Sequence, residues 1–297
     1  MTEPGPAPLP AAEAVHHARA ALEGGPPVAI VTVIDARGHG APPPGAHLAA
    51  WADRHAGTLG SAALDERALA AAREALASGR AGSRDLEAGG AACTVYVEPH
   101  RAPPSLVIVG AGHIARPLCR VGALLGFRVT VLDDRPEFAT RERFPEAAEV
   151  RRADFSDPLR GIDTDGAWLV LVTRGHKYDF EVLRDVLRRP ASPAYVGMVG
   201  SRRRTRAALE QLAREGVEAE RLRAVYAPVG LDVRAETPEE IAVSIAAELV
   251  RVRRGGTGQS LRDRERVAER WVTRERPASA GGEAPPRGER HPGGGDP

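Results

Sequence analysis

The chain has 297 residues, a length that corresponds to roughly two domains, each large enough to bury its own core. Its 41 basic and 40 acidic residues give a net charge of +1, and only 4% of its residues are aromatic. This composition lacks both the positive surface that attracts nucleic acid or anionic membranes and the rings on which bases stack, so nucleic-acid binding is excluded.

Cysteine content and the character of the N-terminus predict the compartment. Cys93 and Cys119 lie far apart in apolar stretches, so they support neither a disulfide framework nor a zinc site and fit a reducing cytoplasm. Residues 1–10 lack the segments of a secretory signal, and no apolar run approaches the roughly 18 residues of a membrane span. The histidines show no metal-ligand spacing. We expect a cytoplasmic protein without membrane association and without a metal site.

The first part of the chain predicts a small α+β domain over residues 11–100. A loose tail rich in proline and glycine, residues 1–10, precedes it, and residues 100–104 form a linker. The predicted elements are a helix at 11–22, a buried strand at 28–34, a helix at 65–78 and a half-buried strand at 92–97.

Residues 106–134 predict a strand, a glycine turn, a helix and a second strand, in that order. The turn has the form G-x-G-x-x-A: Gly110 permits a tight bend, Gly112 lets a pyrophosphate approach the backbone, and Ala115 lets the helix pack closely. The helix then directs unpaired N–H groups and a partial positive charge at the phosphates. Asp133 ends the second strand about twenty residues later, where an acid can bind a ribose hydroxyl.

This unit predicts a Rossmann-type domain over residues 105–254. The fold class is therefore α/β, with a doubly wound parallel sheet in the C-terminal part and the smaller α+β domain before it. The last helix has the clearest start, with Thr237 as N-cap and Pro238 at the first helical position. Its apolar stripe faces the sheet and consists of Ile241, Ile245, Leu249 and Val252. Residues 255–297 lose apolar periodicity and are predicted to be mostly disordered.

Two more loops follow predicted parallel strands and should lie at the same edge of the sheet as the glycine turn. In residues 173–176, Arg174 can clamp a phosphate and His176 can donate to a ligand oxygen or carry a proton; the alternative is a solvated loop with a surface ion pair. Ser201 and Arg202 fit either a bound anion or a solvated basic face. The candidate cofactor-binding residues are Gly110, Gly112, His113, Ile114, Ala115, Asp133, Thr173, Arg174, Gly175, His176, Ser201 and Arg202.

The kind of nucleotide stays open at this point. An acid at Asp133 favours a ribose without a 2′-phosphate, but Arg135, two residues later, weakens that distinction. His113 lies inside the turn, where it either contacts the ligand or only packs. The sequence thus predicts binding of a dinucleotide or a related nucleotide, with NAD among the candidates.

Several strings in the chain resemble one family, the XdhC/CoxI proteins, which are accessory factors for molybdenum hydroxylases such as xanthine dehydrogenase. The resemblance is close over residues 105–254 and loose over residues 28–99. The matching strings are 107–115 (VIVGAGHIA), 129–138 (VTVLDDRPEF), 172–176 (VTRGH), 195–203 (YVGMVGSRR), 228–232 (PVGLD) and 235–250 (AETPEEIAVSIAAELV).

The resemblance implies a maturation factor that binds the molybdenum cofactor, a pterin with a phosphate or nucleotide, and delivers it to a xanthine or carbon monoxide dehydrogenase. The cofactor is then cargo, and the chain is a carrier rather than a catalyst. A cysteine desulfurase and a second copy of the chain are further candidate partners. Two alternatives remain: an NAD-dependent oxidoreductase, although the sequence offers no clear Tyr-x-x-x-Lys proton relay, and a nucleotide-binding regulator without chemistry.

The first domain departs from the family pattern, which has one cysteine in a glycine-rich loop and another before two glycines. Ala63 stands at the first place and Gly89 near the second, so both thiols are missing and this domain is degenerate. If those thiols hold molybdenum or handle sulfur, as the family implies, the chain has lost part of that activity or relies on a partner. Cys93, four residues away, is predicted to be a buried packing residue.

Overall fold

The computed structural model describes residues 7–154 and 156–266, in which two separate sheets carry the core. The first group of elements is α1 (Ala11–Leu22), β1 (Val28–Gly38), β2 (His47–Ala50), β3 (His55–Ala56), α2 (Ala62–Ser78), β4 (Gly82–Ala88) and β5 (Ala91–His100). The second group is β6 (Ser105–Val109), α3 (Ala115–Leu124), β7 (Arg128–Asp133), β8 (Glu149–Arg152), β9 (Trp168–Leu171), α4 (His176–Arg188), β10 (Tyr195–Met198), α5 (Arg202–Arg214), α6 (Ala219–Arg223), β11 (Val225–Tyr226), α7 (Pro238–Arg254) and α8 (Leu261–Glu265).

The first domain is an antiparallel sheet of strand order β3-β2-β1-β5-β4 with a helix on each face. Alternation along β1 divides its side chains, because Val31 and Val33 pack with α2 while Val28 and Ile30 pack with α1. Cys93 points into the α2 side of the core and is 5% exposed, which agrees with the packing role predicted for it.

The ends of the chain differ in part from the prediction. Leu9 is buried, and its N–H donates to the His47 carbonyl at 2.9 Å, so the prediction of a loose tail over residues 1–10 is wrong at this residue. Strand β3 pairs only with Ala49 and Ala50 of β2, so Leu9 can pair with His47 at the start of β2 and pack into the core on the α1 side. Of the predicted disordered segment 255–297, residues 261–265 form α8, and residues 267–297 lie outside the described part of the chain.

The second domain is a six-stranded parallel sheet of order β11-β10-β9-β6-β7-β8. Counted from its own first strand, this is the order 3-2-1-4-5-6 of a Rossmann fold. Helices α3 and α7 cover one face, and α4 and α5 cover the other. The prediction of a doubly wound parallel sheet beside a smaller α+β domain is thus confirmed. The strand order reverses between β6 and β9, and there the sheet opens a crevice at its carboxyl edge.

The central strands and α7 form where the sequence predicts them. Leu106 and Ile108 face the α3 and α7 side of the sheet while Val107 and Val109 face α4, and all four are at most 1% exposed. Helix α7 starts with the predicted capping box of Thr237, with Pro238 at its first position. No helix within 7–154 and 156–266 has both the length and the apolar character needed to cross a bilayer.

Candidate functional site

The glycine turn after β6 is held tightly on one side and open on the other. Gly110 has a φ of 108°, and a Cβ added to it would lie 2.6 Å from the Val172 carbonyl oxygen at the end of β9. Its N–H donates to the Leu132 carbonyl in β7 at 2.7 Å. A Cβ added to Gly112 would meet nothing within 4 Å, so the backbone there faces open space.

Helix α3, which follows the turn, has no side-chain cap and no acidic residue at its N-terminus to offset the positive end of the helix dipole. Its N-cap, Ile114, already has helical dihedrals and provides no side-chain cap, and the first turn of this fully described helix contains no acidic residue. Ala115 is completely buried, which brings the helix close to the sheet. The N–H groups at this end and the partial positive charge are therefore available to an anion.

Asp133, at the end of β7, fastens that strand to the turn. Its carboxylate accepts hydrogen bonds from the Ala111 N–H at 2.7 Å and from the Arg135 N–H at 3.0 Å. The Arg135 guanidinium adds two more, from Nε at 2.9 Å and from Nη2 at 3.0 Å. Burial alone would raise the pKa of this carboxyl, but these hydrogen bonds outweigh burial and lower the pKa to about 2.

The two arginines near the turn are also engaged. The Arg135 guanidinium lies 3.6 Å from the centre of the Phe138 ring, and that of Arg143 lies 4.5 Å from the same ring. Arg143 also donates to the Ala111 carbonyl at 3.2 Å. Both polar groups of Ala111 are thus bound, the N–H by Asp133 at the end of β7 and the carbonyl by Arg143 after that strand, so the protein itself holds the turn in place.

A cavity of about 520 Å³ lies where the loops after β9, β10 and β11 meet, and none of its described lining residues belongs to the glycine turn. Thr173 connects the two, because it lines the cavity and its Cα would lie 3.0 Å from a Cβ added to Gly110. Its lining is apolar at Met198, Val229 and Ile241. It is polar in the loop after β9 and in the loop after β10. Of the candidate residues, it brings together Thr173, Arg174, Gly175 and Ser201.

Five candidate residues form or support the glycine turn and do not line this cavity: Gly110, Gly112, Ile114, Ala115 and Asp133. Of the other three, two lie elsewhere and one has a side chain outside the described part of the structure. Arg202 is exposed at the start of α5 and does not line this cavity, whereas Arg204, in the same helical turn, does. His113 lines a second cavity of about 650 Å³ between α3 and the start of α7. His176 begins α4, but its side chain is outside the described part of the structure.

The loop after β9 is joined to the loop after β7 by an ion pair. Arg174 Nη2 donates to Asp134 Oδ2 at 2.8 Å and also to the Tyr178 hydroxyl oxygen at 2.8 Å. Thr173 donates from its hydroxyl to Asp179 Oδ1 at 2.7 Å, which fixes the start of α4. The polar groups at this edge therefore bind one another across the crevice.

A buried carboxylate holds the loop after β11, which forms one wall of the cavity. Glu248 in α7 accepts hydrogen bonds from the Tyr195 hydroxyl at 2.9 Å and from the Gly230 N–H at 2.8 Å. Tyr195 is stacked between Trp168 and Tyr226. Burial, and then the charge of Glu248, raise the pKa of this hydroxyl, so it remains a donor at neutral pH. The loop that contains Val229 is thereby fixed to α7.

Sequence reasoning missed Asp134, Arg204 and Glu248. Asp134 stands next to Asp133 in the string DDRPEF, so the doubled acid was a signal for it. Arg204 belongs to a run of three arginines, residues 202–204, at the start of α5, so the run that drew attention to Arg202 was also a signal for Arg204. Glu248 had no local signal, because a glutamate on the apolar face of a helix reveals its partners only when the helix is packed.

The loop before α2, near which the resemblance implies a thiol, is held by a carboxylate. Asp65 accepts hydrogen bonds from the Thr58 hydroxyl at 2.7 Å and from the Leu59 N–H at 2.6 Å. Ala63 and Gly89 are both exposed. Cys119 is a buried residue of α3, and burial, followed by the charge of Glu146, raises its pKa to about 11. Neither cysteine of the chain is accessible at either place.

The strand order, the glycine turn and the crevice define the second half of the chain as a Rossmann-type domain. A model of the XdhC Rossmann domain matches residues 106–249, and a model of the XdhC and CoxI family matches residues 21–87. The chain therefore belongs to the XdhC/CoxI family.

Two curated relatives and one solved structure are similar to the chain. An uncharacterized protein of Escherichia coli K12, YqeB, is 31% identical over 245 residues, which are 78% of this chain and 44% of the relative. A Bacillus subtilis 168 protein, named as a probable xanthine dehydrogenase subunit, is 30% identical over 163 residues, 54% of this chain and 46% of the relative. The chain thus spans less than half the length of these curated relatives.

The solved structure is that of a protein from Bacillus halodurans described as a xanthine dehydrogenase. It is 20% identical in sequence, with a TM-score of 0.49, and the match covers 84% of this chain and 99% of that one.

Proposed function

We propose that this chain is an accessory factor that carries the molybdenum cofactor for a molybdenum hydroxylase of the xanthine dehydrogenase type. The observation behind the proposal is the juxtaposition of an open, uncapped phosphate turn with a cavity of about 520 Å³ at the same edge of the sheet. A ligand that joins a phosphate or pyrophosphate to a ring system fits that arrangement. The molybdenum cofactor has this construction, because its pterin carries a phosphate or a nucleotide.

In this proposal the chain binds the organic part of the cargo. The N–H groups at the start of α3 take the phosphate, and Gly112 leaves room for it. The ring system enters the cavity, where Met198 and Val229 offer apolar contact and Ser201 offers a hydroxyl group. A nucleotide attached through a pyrophosphate would extend to the other side of the turn, over β7.

The metal end of the cargo is not held by a thiol of this chain. Cys93 and Cys119 are its only cysteines, and both are buried away from the cavity. A carrier that binds phosphate and pterin leaves the molybdenum accessible to a partner, so sulfur chemistry is assigned to that partner. A cysteine desulfurase has the required chemistry, and a second copy of this chain does not.

The client assignment follows from family membership and from the name of the B. subtilis relative, which links that protein to xanthine dehydrogenase. Because the chain spans less than half of that relative, we propose only the class of client. The carrier role predicts that the chain raises the cofactor content of the client without becoming part of the reaction that the client catalyses.

The proposal is tested by measuring whether the chain retains the cofactor and whether that retention depends on the glycine turn. The chain is co-produced with a xanthine dehydrogenase, purified without oxygen, and analysed by mass spectrometry for bound pterin and nucleotide. Gly112→Trp fills the open space at the turn, and we expect it to lower retained pterin by about a hundredfold because the phosphate contacts are lost. Gly256→Trp is the matched control, since Gly256 is exposed and an added Cβ there meets only Arg251, no closer than 3.8 Å.

The outcomes separate the three functions considered. Pterin retained by the parent and by Gly256→Trp but lost from Gly112→Trp supports the carrier. Equal retention by all three proteins contradicts it. Reduced nicotinamide that transfers hydride to a carbonyl compound, with no pterin bound, would instead identify an oxidoreductase, and a bound nucleotide with neither property would identify a regulator.

A further inference from the structure

The carboxylate of Asp133 has no capacity left for a ligand. Both of its oxygens accept two hydrogen bonds, Oδ1 from the Arg135 N–H and Nε, and Oδ2 from the Ala111 N–H and from Arg135 Nη2. The side chain is only 3% exposed. A ribose hydroxyl could reach it only if Arg135 left its position between Asp133 and the Phe138 ring, and the turn lost its support at the same time.

Asp134, the next residue, is in the opposite situation. Its side chain is 27% exposed, and its Oδ2 accepts one hydrogen bond, from Arg174. Its Oδ1 is buried and has no hydrogen-bond partner among the described residues, and Arg135 Nε lies 4.0 Å from it. An ionised oxygen without a donor is unfavourable, and a hydroxyl donor placed there would remove that cost.

The strand order places this carboxylate over the turn. Strand β6 lies between β7 and β9, Asp134 directly follows β7, and Arg174 follows β9. An ion pair between these two residues must cross the carboxyl end of β6, where the glycine turn begins. In a Rossmann crevice this is the position where the phosphates and the adjoining ribose of a bound nucleotide meet.

We propose that Asp134, and not Asp133, recognises the ribose of a ribonucleotide bound at the glycine turn, accepting hydrogen bonds from its 2′- and 3′-hydroxyls while Arg174 moves from Asp134 to the phosphate. This rests on the proposed function and specifies the nucleotide side of the ligand. Arg174 keeps a charge-assisted partner throughout, because it exchanges a carboxylate for a phosphate.

The assignment selects among nucleotides. A 2′-deoxyribose removes one of the two donors, and a 2′-phosphate brings a second negative charge against Asp134. Arg135 cannot compensate that charge, since its guanidinium is bound to Asp133 and packed on Phe138. We therefore expect ribonucleotides with free 2′- and 3′-hydroxyls to bind, whichever base they contain.

The experiment measures dissociation constants of the full chain by calorimetry. The probes are ADP, GDP and CDP, the 2′-deoxy form of each, and inorganic pyrophosphate. We expect the parent to bind at least one ribonucleotide about tenfold more tightly than its deoxy form. Asp134→Asn and Asp134→Ala should bring that ratio to about one, and they should bind pyrophosphate as tightly as the parent or more tightly, because Arg174 is released.

Two controls keep the result interpretable. Asp53→Asn removes an exposed carboxylate in the first domain. It should change neither the preference for ribonucleotides over their deoxy forms nor the affinity for pyrophosphate. Pyrophosphate binding by Asp134→Asn shows that the turn is still folded. A ratio that stays at the parent value in both Asp134 variants overturns this inference and leaves the proposed function standing. A parent chain that binds pterin but none of the six nucleotides also overturns it, while a parent that binds neither overturns the proposed function as well.

Discussion

Two turns in this chain, residues 57–61 before α2 and residues 110–114 before α3, are held in the same way but lead into helices whose N-termini differ. In each, a carboxylate from another position accepts a backbone N–H of the turn. Asp65 binds the Leu59 N–H at 2.6 Å, and Asp133 binds the Ala111 N–H at 2.7 Å. Both turns are therefore held in shape by the protein itself.

The difference lies in the helix that follows. Ser61 caps α2 by accepting the Leu64 N–H, and Asp65 adds a negative charge to the first turn. Helix α3 has neither a side-chain cap nor an acidic first turn. The first turn and the helix start after it are thus satisfied by side chains of the protein itself. The second turn keeps N–H donors that the described residues do not cap, and we propose this turn as the place where an anionic ligand binds.

The largest expected effect comes from breaking the support of the second turn with Gly110→Ala. The new methyl group would adopt a φ of 108° and lie 2.6 Å from the Val172 carbonyl, so we expect the free energy of unfolding to fall by about 4 kcal/mol. Urea unfolding measures it. Gly112→Ala is the matched control and should cost about 1 kcal/mol or less, because its Cβ meets nothing. Equal losses in the two variants would show that the contact with β9 does not constrain the turn.

A second, pH-dependent effect is expected from Asp133→Asn. The folded pKa of about 2 lies below the ordinary value, so the ionised carboxylate stabilises the fold by about 2 kcal/mol at neutral pH. Because the pKa is lowered, this stabilisation is complete above about pH 4 and disappears as the pH falls toward about 2. Urea unfolding of parent and variant from neutral pH downward should show a gap that closes over that range. A gap independent of pH would mean that packing, and not charge, is what the variant loses.

The smallest effect is expected in the first domain, from Ser61→Ala. Loss of the cap on α2 should lower the free energy of unfolding by about 1 kcal/mol, and ligand retention should not change. Ser83→Ala, at an exposed serine in β4 whose hydroxyl caps no helix, serves as the control and should have an effect within about 0.5 kcal/mol. If Ser61→Ala also removed bound ligand, the two turns would not be separate in function as we infer.

Elements with local signals could be predicted from the sequence, and elements without them could not. The capping box at Thr237 and the glycine turn after β6 were both predicted where they occur. Strands β4 and β8 were missed because each is an edge strand. β4 buries only Leu86, and β8 has no fully buried residue, so neither shows the apolar alternation that identifies a strand.

The candidate site was predictable in its location but not in its internal bonds. That Thr173, Arg174 and Ser201 line one cavity follows from strands that alternate with helices, since all their loops then end at one edge. The occupation of Asp133 by Ala111 and Arg135 did not follow, because it depends on how the end of β7 meets a turn more than twenty positions earlier. Contacts of that kind are set by tertiary packing.

The burial of both cysteines has a practical consequence for anyone handling the folded protein. Burial raises the pKa of the Cys93 thiol and is the main reason that the pKa of Cys119 is about 11, so neither sulfur is an exposed thiolate. Alkylating reagents should leave the native chain unmodified, and storage in air should not join two chains covalently. A sulfide or persulfide detected on a preparation would consequently belong to the cargo or to a companion protein.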